Sequence, residues 1–131
     1  MGWILSNSIK VLIVDDEQAC LASLSMQFFG TKVKPILVDN AFEALEIIKN
    51  NNQIDVILLD LMMPGMDGFD FLEIVKRDKL FNKPIIIQTG LVNKVQIDNA
   101  LELGAIDYIN KPFDKKQILE LLNKYSPIKV Y

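Results

Sequence analysis

Val56-Ile57-Leu58-Leu59-Asp60-Leu61-Met62-Met63-Pro64-Gly65-Met66-Asp67-Gly68 is the stretch that decides the fold. Its first four residues are apolar at both parities, so a strand built from them has no wet face, as a parallel strand covered by helices on both sides requires. The run stops on a carboxylate, and Pro64-Gly65 then has the composition of a type II turn. Three further runs share this grammar: Val11-Leu12-Ile13-Val14 leads into Asp15 and Asp16, Ile85-Ile86-Ile87-Gln88 into Thr89, and Tyr108-Ile109 precedes Lys111. Open parallel sheets bind ligands outside the carboxyl ends of their strands. Three carboxylates, a hydroxyl and an ammonium are therefore expected to converge on one crevice.

Outward from these runs, strand-length apolar segments alternate with segments of helical period, the pattern of βαβ units rather than of hairpins. Strands are expected at Lys10 to Val14, Lys34 to Val38, Val56 to Leu59, Pro84 to Gln88 and Ala105 to Ile109. Helices are expected at Glu17 to Phe29, Ala41 to Asn51, Gly68 to Lys76, Lys94 to Leu103 and Lys115 to Asn123. Phe42, Leu45 and Ile48, and likewise Phe69, Leu72 and Val75, repeat at three-residue spacing and should face the sheet. Gly30, Gly104 and the pair Asn51-Asn52 are placed to end helices. Right-handed crossovers leave few windings for five strands. The expected fold is a flavodoxin-like α/β (βα)5 three-layer sandwich with parallel strand order 2-1-3-4-5.

The chain has 131 residues, half of them hydrophobic and about a quarter charged, which suits one domain with one continuous core. The expected division is an N-terminal extension over 1–8, the domain over 9–124, and a frayed tail or linker start over 125–131. No apolar stretch approaches the roughly 20 residues of a membrane span, and no secretory leader pattern opens the chain; a cytoplasmic location is expected, with no membrane association. Met1-Gly2-Trp3-Ile4-Leu5-Ser6 formally matches a myristoylation pattern that recurs by chance. The lone Cys20 fits a reducing compartment and a packing role. A net charge of −3 without basic clusters gives no electrostatic footprint for nucleic acid. Histidine is absent, so any phosphohistidine must belong to another molecule.

Taken singly, each candidate residue has an ordinary explanation. Asp15 or Asp16 could cap the helix that follows, Asp60 could be a turn residue, Thr89 could end its strand, and Lys111 could be a loop lysine. Those explanations are independent, whereas a common site needs all of them at one edge, as the pattern provides. Carboxylates crowded into one crevice repel by about 1 kcal/mol per pair at 4 Å in water and by more in a cleft. A hard divalent cation, Mg²⁺ or Mn²⁺, relieves this.

In combination and order, Val14-Asp15-Asp16, the segment Leu59 to Gly68, Thr89-Gly90 and Gly104-Ala105-Ile106-Asp107-Tyr108-Ile109-Asn110-Lys111-Pro112-Phe113 resemble the receiver domain of two-component response regulators. The resemblance covers Ile9 to about Leu122. It implies that Asp60 accepts a phosphoryl group from a phosphohistidine of a sensor histidine kinase or a histidine phosphotransfer protein. It further implies that Asp16, Asp60 and the Met62 backbone carbonyl ligate Mg²⁺, with Asp15 acting mainly through water, and that Lys111 and Thr89 bind phosphoryl oxygens. Thr89 and Tyr108 become a switch pair, Tyr108 turning inward when Thr89 moves toward the phosphoryl group. The surface of the fourth helix, fifth strand and fifth helix changes with it, and homodimerisation through that surface is common in the family. The Lys111-Pro112 bond is implied to be cis.

Met62 and Leu91, two positions after Asp60 and Thr89, are apolar, and polar residues there can orient attacking water. A long-lived phosphoryl group is one reading, and simple rim packing is the other. The rival function is a Mg²⁺-dependent aspartyl-phosphate phosphohydrolase of the haloacid dehalogenase type, whose nucleophile strand ends Asp-x-Asp, unlike Asp15-Asp16-Glu17 or Asp60-Leu61-Met62. A docking-only pseudo-receiver is disfavoured by retention of all five site residues. A receiver cut from a hybrid histidine kinase would look alike over these residues. The expected activity is a self-phosphorylating switch rather than a turnover enzyme.

Overall fold

The computed structural model describes residues 7–50, 53–90 and 93–131. Five strands and five helices alternate along the chain: β1 (Ile9–Val14), α1 (Gln18–Phe28), β2 (Val33–Val38), α2 (Ala41–Asn50), β3 (Val56–Asp60), α3 (Gly68–Asp78), β4 (Ile85–Thr89), α4 (Lys94–Glu102), β5 (Asp107–Asn110) and α5 (Lys115–Tyr125). The strands form one parallel sheet in the order β2-β1-β3-β4-β5. The expected winding is the observed one.

The doubly apolar strands explain the layers. Alternate residues of β3 and β4, namely Ile57, Leu59, Ile85 and Ile87, join α2 and α3 residues such as Leu45, Phe71 and Leu72 in one core. The other parity, Val56, Leu58 and Ile86, joins Leu24 and Phe28 of α1 and Ile118 and Leu122 of α5 in a second. Every residue of β3 and β4 is buried, as strands covered on both faces must be.

Register then places the crevice. Val14 pairs with Leu59 and Asp60 with Gln88, so one step along puts Asp15 beside Asp60. Thr89 pairs with Asn110, and the Lys111 N–H donates to the Thr89 carbonyl at 2.7 Å, which brings Lys111 to the same edge.

Local chemistry shifts several expected boundaries. Pro84 lies just before β4 and contributes only its carbonyl, to the Ile57 N–H at 3.0 Å, since it has no N–H for the ladder. Ala105 lies in the turn that closes α4 rather than in β5: Gly104 has a φ of +113°, and the Ala105 N–H returns to the Ala100 carbonyl at 3.0 Å. Gly65 has a φ of +78°, as the second central residue of a type II turn needs. Asn51-Asn52 and Leu91 lie outside the described residues, as do the first six positions of the N-terminal extension. The expected fraying after Lys124 gives way to order: Val130 is fully buried, its carbonyl accepts from the Lys32 N–H at 2.9 Å, and its N–H donates to Asn123 Oδ1 at 3.1 Å.

Candidate functional site

Asp15, Asp16 and Asp60 each offer a carboxylate oxygen, and these oxygens all lie within 4.8 Å of one another. Asp15 and Asp60 are buried, while Asp16 faces solvent. The helix-capping explanation of the acidic pair fails. Glu17, not an aspartate, is the N-cap of α1, and no side chain caps that helix. Asp15 instead accepts the Glu17 N–H through Oδ1 at 2.9 Å, which aims its Oδ2 into the crevice.

Lys111 reaches across the sheet edge to this oxygen. Its Nζ donates to Asp15 Oδ2 at 2.6 Å and stands 3.5 Å from Asp60 Oδ2 and 3.7 Å from Glu17 Oε1. The Lys111-Pro112 peptide is cis, as the resemblance implied. Burial works against the Lys111 ammonium, but the Asp15 hydrogen bond and the charges of Asp60 and Asp15 outweigh it and hold its pKa above the ordinary lysine value. One cation thus faces several anions, and the excess is negative.

Asp60 registers that imbalance. Burial is the main reason that its pKa rises from 3.8 to about 6, with the Asp15 charge adding to the rise, while the Met62 N–H and the Lys111 ammonium pull the other way. The Met62 N–H donates to Asp60 Oδ1 at 3.1 Å, leaving Oδ2 on the Lys111 side. The donor set fits a divalent cation: three hard carboxylates at short mutual distance, one of them costly to ionise in this pocket, would each gain from a shared charge. Glu17 and Cys20 also lie close enough to Asp15 for a ligand set, but burial pushes the Cys20 thiol up, and a protonated thiol is a poor ligand.

Thr89 is buried at the end of β4, whereas the side chain of Met62 lies at the surface. Tyr108 is 40% exposed on β5, so its ring lies outward rather than beneath Thr89. Six of the seven expected residues therefore share one edge, and the seventh sits on the surface beside it.

Gly68 was not singled out by its sequence, yet it packs directly against the Asp60 backbone. A Cβ at this position would stand 2.6 Å from the Asp60 carbonyl oxygen and 2.7 Å from Leu61 Cα, and the Gly68 N–H donates to the Leu61 carbonyl at 3.0 Å. The signal was a glycine opening an amphipathic helix already capped by Asp67, where helix propensity argues against glycine. Gln88 also went unnoticed, because it ends an apolar run and reads as its terminus.

The model of the response regulator receiver domain family matches residues 11–123. Sporulation initiation phosphotransferase F of Bacillus subtilis is 36% identical over 122 residues, 92% of this chain and 95% of that protein. The heme response regulator HssR of Staphylococcus haemolyticus is 31% identical over 85% of this chain, and the chain spans 48% of its length. Among solved structures, the receiver domain of the Francisella response regulator 1452 superposes with a TM-score of 0.82 at 30% identity, covering 90% of this chain and 96% of that one.

Proposed function

The chain belongs to the response regulator receiver domain family, and from that premise we propose that Asp60 is its phosphoacceptor, served by Asp15, Asp16, Lys111 and Thr89. The observation that carries this reading is convergence. Residues from the ends of three strands, separated by up to 96 positions along the chain, put three carboxylates and one ammonium into a single crevice.

The chemistry follows from the chain's own groups. With a pKa of about 6, Asp60 is mostly ionised at pH 7 and needs no general base. The Met62 N–H holds Oδ1, so Oδ2 is the oxygen free to attack. It bonds to the phosphorus of a partner's phosphohistidine as the P–N bond breaks, and the electron pair of that bond departs with the imidazole. Lys111 stands beside Oδ2 to bind a phosphoryl oxygen, and the Thr89 hydroxyl binds another. Phosphoryl transfer of this kind depends chiefly on positioning and on offsetting the charge of the equatorial oxygens. Receiver domains bind Mg²⁺ at an acidic pocket; here Asp16, Asp60 and the Met62 carbonyl would hold it directly and Asp15 through water, with Mn²⁺ as a substitute. When bound, the ion supplies positive charge to the carboxylates and to the phosphoryl oxygens.

Receiver domains are signalling switches, and receivers of response regulators interact with histidine kinases or phosphotransfer proteins. For this chain the donor is a phosphohistidine of such a protein, and the readout is the face formed by α4, β5 and α5. Val95, Leu101 and Ile106 are exposed apolar residues of α4 and the approach to β5, which supports homodimerisation on that face, with Tyr108 turning inward as the switch. The domain is taken as 9–124, with the packed residues up to Val130 completing it. No helix among the described residues is long and apolar enough to cross a membrane, and a cytoplasmic location accords with a kinase-borne donor. No nucleic-acid contact is proposed for this domain alone.

The test is stoichiometry. Supplied with acetyl phosphate and Mg²⁺, the protein should take up phosphate to one group per chain and then consume donor only as slowly as that group is lost. Sustained rapid release of phosphate would instead identify a phosphohydrolase.

A further inference from the structure

Beside the acidic crevice, on the α1 and α5 side of the sheet, lies a cavity of about 450 Å³, well within the range of small-molecule sites. Its walls include Cys20 and Leu24 of α1, Pro112 and Phe113 after β5, and the side chain of Gln88 from β4. Gln88 is fully buried, yet neither its amide oxygen nor its amide nitrogen makes a hydrogen bond. Among the described residues, the buried side-chain polar atoms without a partner are these two and Gln27 Oε1, and Gln27 lines the same cavity. Its other amide atom is engaged, Nε2 donating to Ser23 Oγ at 3.1 Å, which fixes the carbonyl end as an acceptor.

Buried polar groups are almost always satisfied, and a group that is not calls for an explanation. Three of them on one cavity specify the complement: an acceptor for Gln88 Nε2 and N–H donors for the two carbonyl oxygens. The apolar walls disfavour a charged ligand, and the two charged residues of the lining, Glu17 and Lys111, face each other at 3.7 Å while Lys111 is held further by Asp15, so neither sign is left over to recruit an ion.

We propose that this cavity binds a small uncharged molecule bearing a carboxamide or lactam group, which pairs edge to edge with Gln88 and lays its apolar body against Leu24, Pro112 and Phe113. The cavity shares Glu17 and Lys111 with the edge of the acidic crevice, but its test contains neither Mg²⁺ nor a phosphoryl donor, so each reading can fail alone.

The probe is benzamide, titrated into the ¹⁵N-labelled full chain and followed by the Gln88 side-chain NH₂ signal and the backbone amides of Cys20, Leu24 and Phe113. Toluene, which has the ring without the amide, is the comparison. Saturable shifts at these positions are expected, with benzamide binding at least tenfold more tightly than toluene. Gln88→Met keeps the side chain's length and apolar stem, so it should still bind toluene while losing benzamide affinity at least tenfold. The proposal is overturned if benzamide binds no better than toluene, if Gln88→Met binds it undiminished, or if the Gln88 NH₂ signal does not move during the titration.

Discussion

Replacing Asp60 by asparagine should make the metal-free protein more stable while removing its proposed nucleophile. A carboxyl whose folded pKa is about 6 rather than 3.8 carries a folding penalty of up to about 3 kcal/mol once ionised. Asparagine escapes that penalty and keeps an oxygen to accept the Met62 N–H, 3.1 Å from Oδ1 in the parent. It gives up the attraction of Lys111 at 3.5 Å, a contribution already contained in the net shift. Because the folded pKa is raised, the protonated carboxyl favours folding below pH 3.8, and this benefit is lost as pH climbs through about 6. In EDTA, Asp60→Asn should thus exceed wild type by about 1–3 kcal/mol at pH 7.5, the gap closing toward zero below pH 4. Urea unfolding at half-unit pH steps, with a common slope for both proteins, measures the gap directly. A variant less stable than wild type at pH 7.5, or a gap independent of pH, would refute the claim that this carboxylate is held at a cost.

Three further outcomes are expected. Lys111→Ala leaves the fully buried Asp15 without its cation and should destabilise the metal-free protein by about 2–4 kcal/mol; thermal melts should show Mg²⁺ returning a larger increment to this variant than to wild type. Gly68→Ala drives a Cβ against the Asp60 carbonyl at 2.6 Å, and an overpacking cost of about 1–3 kcal/mol should appear in chemical denaturation together with slower phosphorylation by acetyl phosphate. Met62→Asn places a water-orienting group beside Asp60 and should shorten the phosphoryl lifetime at least threefold in a filter-binding decay assay; an unchanged lifetime would assign Met62 to rim packing alone.

The sheet was legible because β3 and β4 are apolar at both parities, a pattern that admits little besides a strand covered on both faces. Asp15, Asp16, Asp60, Thr89 and Lys111 could be foreseen as neighbours because they sit at the carboxyl ends of β1, β3, β4 and β5, and parallel register does the rest. Details that depend on contact rather than on pattern stayed hidden. Ala105 and Ile106 read as strand, but the left-handed Gly104 and the Ala100 carbonyl claim Ala105 for the turn that closes α4. Ile128 and Val130 alternate with Pro127 and Lys129 over too short a tail to announce that they dock on the α1 and α5 side of the sheet. Gly68 left only the faint signal of a glycine opening a capped helix, and Gln88 left none, since the surroundings of its amide are revealed only by the folded chain.

The account rests on Asp60 receiving phosphate with help from a divalent cation, and intact mass spectrometry after incubation with acetyl phosphate tests it most directly. Wild type in Mg²⁺ should gain the mass of one phosphoryl group and lose that gain in EDTA, while Asp60→Asn should gain nothing in either buffer. Labelling of Asp60→Asn to the wild-type extent, or equal labelling of wild type in EDTA, would contradict the assignment.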